Sequence, residues 1–210
     1  MSIGKIYNFS NYEYLNPSQN KYGNLELTDY PTIQVVTTSE LKSQLRIDNS
    51  DEDTLLGTYI SAATQMAENY CNRHFINATY KLRFNSLPSK FSLYYPDCHT
   101  FSLWAKVTEN SYSQEDAANY YVNTDVNPNI CNIHEKSLTP MSFDSMEKDT
   151  DSLWYLGFST GYGAGAANVP DAIKQAIKLI ASDMYYFRED RKRSFPMASE
   201  ILLQPYKCYL

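Results

Sequence analysis

Thr37-Thr38-Ser39-Glu40-Leu41-Lys42-Ser43-Gln44-Leu45, then after a polar break Ser50-Asp51-Glu52-Asp53-Thr54-Leu55-Leu56-Gly57-Thr58-Tyr59-Ile60: this stretch decides the fold. Its opening has capping-box spacing, in which a hydroxyl and a carboxylate three residues apart each satisfy a free backbone N–H at a helix start. Leu41 and Leu45 then share a face, and the short helix stops near Asp48-Asn49. Asp51, Glu52 and Asp53 start a second helix, where carboxylates in a first turn complement the positive end of the dipole. The row Leu55, Leu56, Tyr59, Ile60, Ala63, Met66, Ala67 and Tyr70 repeats with helical period and ends around Asn72-Arg73-His74.

Working outward, the period changes from about Thr79. Tyr80, Leu82 and Phe84 alternate with polar residues, as do Phe91, Leu93 and Tyr95, then Phe101 and Leu103. Tyr120–Val122, Ile130–His134 and Leu153–Ser159 are further strand candidates, separated by clusters of Asn, Pro, Ser and Asp. Gly161-Tyr162-Gly163-Ala164-Gly165 leads into Val169-Pro170-Asp171 and the longest helix, with proline suited to the first helical position. Ile173, Ala176, Ile177, Ile180, Ala181, Met184 and Phe187 form its apolar stripe, and it runs into Arg188-Glu189-Asp190-Arg191-Lys192-Arg193. The expected fold class is α+β: a helical bundle carrying an inserted antiparallel β module. Residues 1–36 are an extended arm with a short strand at Thr32–Val36, 37–78 and 161–193 the helical core, 79–160 the β module, and 194–210 a tail. The expected core is Leu41, Leu45, Leu55, Leu56, Tyr59, Ile60, Ala63, Ile173, Ala176, Ile177, Ile180 and Met184.

Composition narrows the function. At 43% hydrophobic residues the chain can bury a real core, so disorder is not the default reading. Its 19 Tyr against 7 Gly suit half-buried sheets and subunit contacts, and also carbohydrate sites, so the excess chooses none of these. A net charge of −6 argues against tight nucleic-acid binding, whose affinity comes mostly from phosphate neutralisation. No stretch approaches the ~20 apolar residues of a membrane span, and the N-terminus has no signal-peptide core, so the expectation is a soluble chain made in the cytoplasm. Cys71, Cys98, Cys131 and Cys208 are scattered without a CxxC pair and are expected to stay reduced.

Each motif with chemical potential has a plainer explanation. The Gly161–Gly165 loop lacks the Gly-Lys-Ser/Thr of a phosphate loop and fits a strand-to-helix connection. Cys98-His99 and Cys131-x-x-His134 lack the spacing of a zinc site and fall in strand-like segments where partners point to opposite faces. His74 sits at a helix end as a cap or dipole partner. Asp48 to Asp53 lacks the glycine and the alternation of a calcium loop. No GxSxG, HExxH or paired-carboxylate signature appears, so neither an enzyme nor a cofactor is expected. Beyond Pro196, Ile201, Leu202, Leu203, Pro205 and Tyr206 make a conspicuously apolar tail.

Three separated segments resemble the head-tail connector (head-to-tail adaptor) family of tailed phages, in its long members with a β insertion. The first is Thr38-Ser39-Glu40-Leu41-Lys42-x-x-Leu45-Arg46-Ile47 with Asp51-Glu52-Asp53-x-Leu55-Leu56-x-x-Tyr59-Ile60-x-Ala62-Ala63. The second is Gly161-Tyr162-Gly163, then Val169-Pro170-x-Ala172-Ile173-Lys174-Gln175-Ala176-Ile177, ending in Tyr186-Phe187-Arg188-Glu189. The third is Leu202-Leu203-x-Pro205-Tyr206-Lys207. The resemblance implies a non-enzymatic subunit of a roughly twelve-fold ring at the virion neck, assembled in the host cytoplasm, since a head-to-tail cyclic interface needs no chemistry. It also implies docking on a portal protein, extension of the DNA channel and reception of the tail or further neck proteins; from charge and hydropathy, the DNA is expected to pass without tight binding and no membrane contact is expected. Arg188, Arg191, Lys192, Arg193, Phe195, Ile201, Leu202, Leu203, Pro205 and Tyr206 are the expected portal-facing residues, on a tail that leaves its own subunit. The alternatives are another neck ring, such as a stopper or tail-completion protein, and a carbohydrate-binding β module using Trp104 or Trp154 as a stacking platform.

Overall fold

The computed structural model describes residues 25–84, 90–93, 97–108, 111–117, 120–127, 130–135, 154–188 and 197–208. The chain divides into two compact units: one takes the residues up to Tyr30 and Ala78–Thr160, the other Pro31–Asn77 and the residues from Gly161 to Tyr209. Helices and antiparallel strands are segregated between them, which makes the fold α+β.

In the helical unit, α1 (Thr38–Leu45) starts from a complete capping box. The Glu40 N–H donates to Thr37 Oγ1 at 3.2 Å and the Thr37 N–H donates to Glu40 Oε2 at 2.7 Å. Arg46, in the left-handed region at φ 59°, ends the helix. α2 (Asp53–Cys71) has only Asp53 in its first turn. Glu52 is its N-cap but makes no capping hydrogen bond, so the expected trio of dipole-facing carboxylates is reduced to one. Asn72, left-handed at φ 53°, closes α2. α3 (Asp171–Tyr186) and the short α4 (Met197–Leu203) complete the unit.

Leu41, Leu45, Leu56, Ile60, Ala63, Ala67, Ile173, Ala176, Ile177, Ile180 and Ala181 are buried together, joined by Val35, Val36, Phe75, Val169 and Leu203. Tyr59 and Met184 pack half-buried at the margin. Leu55 is a correction: it is half-buried and outside this cluster, because adjacent helical residues point about 100° apart and Leu56 takes the inward direction. Met66 is 39% exposed, and Phe187, expected on the apolar stripe, is 50% exposed because α3 stops at Tyr186.

In the other unit, β1 (Leu25–Asp29), β2 (Ala78–Phe84), β8 (Trp154–Thr160), β4 (Cys98–Thr108) and β5 (Ser111–Gln114) form an antiparallel sheet in the order β1-β2-β8-β4-β5. β3 (Lys90–Leu93), β7 (Ile130–Glu135) and β6 (Tyr120–Asn127) form a second, three-stranded sheet. Period-two patterning is legible in the burial: Ala78, Tyr80, Leu82 and Phe84 are buried while Thr79, Lys81 and Arg83 are not. The core adds Leu103, Ala105, Tyr120, Trp154, Leu156 and Phe158, with Tyr80 stacked on its cross-strand partner Phe158 at 5.6 Å.

The expected arm over 1–36 is corrected in two places. Leu25–Asp29 is an edge strand paired with β2, and Thr32–Val36 is not a strand; instead Val35 and Val36 anchor the chain in the helical core. Residues 1–24 lie outside the described residues.

Candidate functional site

The expected docking tail follows from how the end of α2 is built. Glu68, 6% exposed, turns back at the last helical turn: its Oε1 accepts the Phe75 N–H at 2.9 Å and its Oε2 lies 3.2 Å from His74 Nδ1. This folds the chain after Asn72 sharply and buries Phe75. Arg73 lies over the Tyr162 ring at 4.2 Å, bringing in the loop after β8. That loop is backbone-bonded, with Tyr162 N–H donating to Phe75 O at 3.1 Å and Asn77 N–H donating to Gly163 O at 3.0 Å. Gly161 sits at φ +132°, where a Cβ would lie 2.8 Å from the Ile76 carbonyl carbon. These bonds tie the glycine loop, the connection between β8 and α3, to the turn after α2.

Onto this end folds the C-terminal segment. Cys208 N–H donates to Cys71 O at 2.8 Å, Asn72 Nδ2 donates to Cys208 O at 3.0 Å, and the Cys71 thiol faces Leu203 O at 3.8 Å. Ser199 and Leu203, one helical turn apart, are fully buried. Glu200 accepts from the Tyr70 hydroxyl at 3.3 Å, and Lys207 lies over the Tyr70 ring at 4.5 Å. Burial pushes the Cys71 thiol up to about 12 and raises that of Cys208, so neither is a nucleophile at neutral pH. Where the expected tail leaves its subunit, its described residues from Ser199 to Cys208 fold onto their own helical unit. An apolar helix that covers the open end of its own core removes more hydrocarbon from water than a solvated arm does.

At the start of α2, Glu52 binds the end of α3. Tyr185 Oη donates to Glu52 Oε2 at 2.7 Å and Arg188 donates to Oε1 at 2.6 Å, with the guanidinium 5.0 Å from the Tyr185 ring centre. The Tyr185 hydroxyl and then the Arg188 guanidinium hold the Glu52 carboxyl below its ordinary value.

The expected portal-facing residues therefore divide. Arg188 is exposed and ion-paired to Glu52, Ile201 is 63% exposed, and Pro205 is exposed. Leu202 and Tyr206 are half-buried against the helical core, and Leu203 is inside it. Arg191, Lys192, Arg193 and Phe195 lie outside the described residues. Tyr186 and Phe187, 63% and 50% exposed, are apolar surface at the end of α3; the periodicity assigns Phe187 to the core face and passes over Tyr186. The signal that could have marked both as surface is their place just before a charge run.

Among the described residues no group of three or more His, Cys, Asp or Glu is placed to hold a metal ion. Cys98 is buried in β4, while His99 Nδ1 lies 2.8 Å from Asp97 O. A polar cleft at the α1–α2 turn is lined by Thr38, Ser39, Lys42, Arg46, Asp48 and Asp53, and Lys42 is paired there with Asp53 at 2.9 Å. Among the described residues no helix is long and apolar enough to cross a membrane.

Residues 36–130 match the family model of the phage gp6-like head-tail connector protein. The match takes in the first of the three segments that carry the resemblance; the second and third lie beyond it. Solved structures similar in fold include a chain from the neck of the empty gene transfer agent particle, with C6 symmetry, at a TM-score of 0.66. Chains from the virion of the native gene transfer agent particle and from its neck, with C12 symmetry, match at TM-scores of 0.67 and 0.64. Each is 18% identical and the match covers 89% of this chain and 96% of the other. No protein with a curated description matches.

Proposed function

We propose that this chain, a head-tail connector by the match of its residues 36–130, is a structural protein of the virion neck: a head-to-tail adaptor, not an enzyme. One observation carries the reading: a connector-family match lies inside a fold that parallels chains of virion and neck structures over 89% of its length. The finer proposal is a helical bundle that assembles as a ring of about twelve copies under the portal, continues the DNA channel and offers the tail, or a further neck protein, its attachment surface. A ring repeats one weak contact many times, and multivalency turns these into a firm attachment. Arg188, Ile201 and Pro205, with Tyr186 and Phe187, are the proposed portal-facing residues of the helical unit. Leu203 is no longer among them. A net charge of −6 suits a channel past which DNA moves without being held.

Electron microscopy of the purified chain with its portal, and of intact virions, tests this. The expected result is a single ring against the portal at the neck. Copies spread over the capsid surface would overturn the neck reading. A neck ring that touches other proteins but not the portal would replace the adaptor with a stopper or tail-completion protein.

A further inference from the structure

Glu52 breaks a local rule. It is the N-cap of α2, the position where Ser, Thr, Asp or Asn ordinarily accepts a free N–H of the first turn, yet its side chain makes no capping bond. The carboxylate instead crosses to the end of α3 and takes two donors there, Tyr185 Oη at 2.7 Å and Arg188 at 2.6 Å. The Arg188 guanidinium lies 5.0 Å from the Tyr185 ring centre, so one carboxylate holds both residues as a pair. Tyr185 is also packed against the helical core. Breaches of local preference of this kind concentrate at functional sites.

The two residues between those anchors are Tyr186 and Phe187. The α3 stripe of Ile173, Ile177, Ile180 and Met184 continues at position 187, so one more helical turn would aim Phe187 at the core. The helix ends at Tyr186 instead, and Phe187 leaves it at φ −126° and ψ 76°, its N–H still bonded to Asp183 O. With Tyr185 and Arg188 both held by Glu52, Tyr186 and Phe187 stand largely exposed, and the Tyr186 ring meets the Tyr185 ring edge-on at 5.7 Å. Two large rings left in water give up burial that a longer helix would recover for Phe187. An ion pair as exposed as Glu52 and Arg188 adds little stability, so stability does not account for the arrangement. A partner that covers the rings does. Aromatic side chains with an arginine beside them are the groups that concentrate binding energy at protein interfaces.

We propose that Glu52 is a positioning residue for attachment: it holds the end of α3 so that Tyr186 and Phe187 meet the portal already in their docking arrangement. Side chains fixed before contact have less freedom to lose on contact, which raises affinity without any added contact. Glu52 acts through the two rings and not by touching the portal. The proposal rests on the portal-facing reading of the α3 end given above and adds how that surface is prepared.

The test is a double-substitution cycle on the full chain, read as the dissociation constant for purified portal, with melting temperature and backbone hydrogen exchange measured alongside. Glu52→Ala is expected to shift the melting temperature by no more than about 4 °C, the scale of an exposed ion pair. It should also speed exchange of the Phe187 amide and weaken attachment by about tenfold or more. Tyr186→Ala with Phe187→Ala should weaken attachment at least as much, and adding Glu52→Ala to that pair should change it by less than about twofold. Normal attachment by Glu52→Ala overturns the positioning role. So does a loss that multiplies with that of the ring pair, which would make Glu52 a contact in its own right. A Glu52→Ala chain that does not fold assigns Glu52 to stability and overturns the role as well. Normal attachment by the chain lacking both rings overturns the portal-facing reading of the α3 end, and a parent chain that does not bind portal overturns the adaptor reading itself.

Discussion

Leu203→Ala distinguishes a tail that belongs to its own subunit from one that waits for a partner. The Leu203 side chain is fully buried in the helical core, and its carbonyl, which faces the Cys71 thiol, is untouched by the substitution. The measured change therefore isolates the side chain. Removing a buried isobutyl group costs its transfer free energy plus a cavity term, about 2–5 kcal/mol in well-packed cores. Ile201, two residues earlier on the same short helix, is 63% exposed, and Ile201→Ala should stay within about 0.5 kcal/mol of the parent. Urea unfolding of the full chain at neutral pH, followed by far-UV circular dichroism, gives both values in one experiment. The pair is expected to separate further in a portal-attachment assay, where Ile201→Ala weakens binding without changing stability. Equal stability for the two variants would refute the assignment of the C-terminal segment to its own core and restore the free-tail reading.

Gly161→Ala should destabilise more than Gly157→Ala, by about 1–3 kcal/mol or more from backbone strain. At Gly161 the new Cβ meets immovable backbone at φ +132°, whereas at Gly157 it meets the Ser102 hydroxyl, which can rotate away. Comparing their melting temperatures checks this. Acid should loosen the helical unit, because Glu40, through the Thr37 backbone N–H and hydroxyl, and Glu52, through Tyr185 and Arg188, are both held below the ordinary 4.5. Depressed carboxylates stabilise fully above that value, and the stabilisation is lost as pH falls through the lowered ones. Glu52→Gln should show a shallower fall in stability between roughly pH 5 and 3 than the parent, and an unchanged slope would contradict the assignment.

What the sequence made legible was local or strictly periodic. The capping box is visible because its two hydrogen bonds join residues three apart, and the α2 and β2 faces because burial repeats at 3.6 and 2.0 residues. The rest depended on partners far along the chain. β5 has one apolar residue in Ser111–Gln114, so nothing in its pattern marks it; only pairing with β4 makes it a strand. Leu25–Asp29 alternates weakly and looks like part of a polar arm until β2 is set beside it. In the C-terminal segment the apolar residues were evident, but periodicity records that a face exists and not what it covers. The bond from Glu52 to Tyr185 and Arg188 was invisible for the same reason, since 133 and 136 residues separate its partners.

The link from Cys71 to Leu203 and Cys208 also sets an order in time. Cys71 and Leu203 are 132 residues apart, and at typical synthesis rates of 5–20 residues per second the later one is made about 7–26 s after the earlier. For most of that interval α1 and α2 exist without a complete α3, and through all of it without a complete α4, while the strands from β2 to β8 emerge and can pair. The β unit can then be complete before the helical unit has the residues to close. The helical unit's closing residues Leu203 and Cys208 are thus made after every described strand of the β unit, so connectivity alone delays a finished helical surface on a nascent chain.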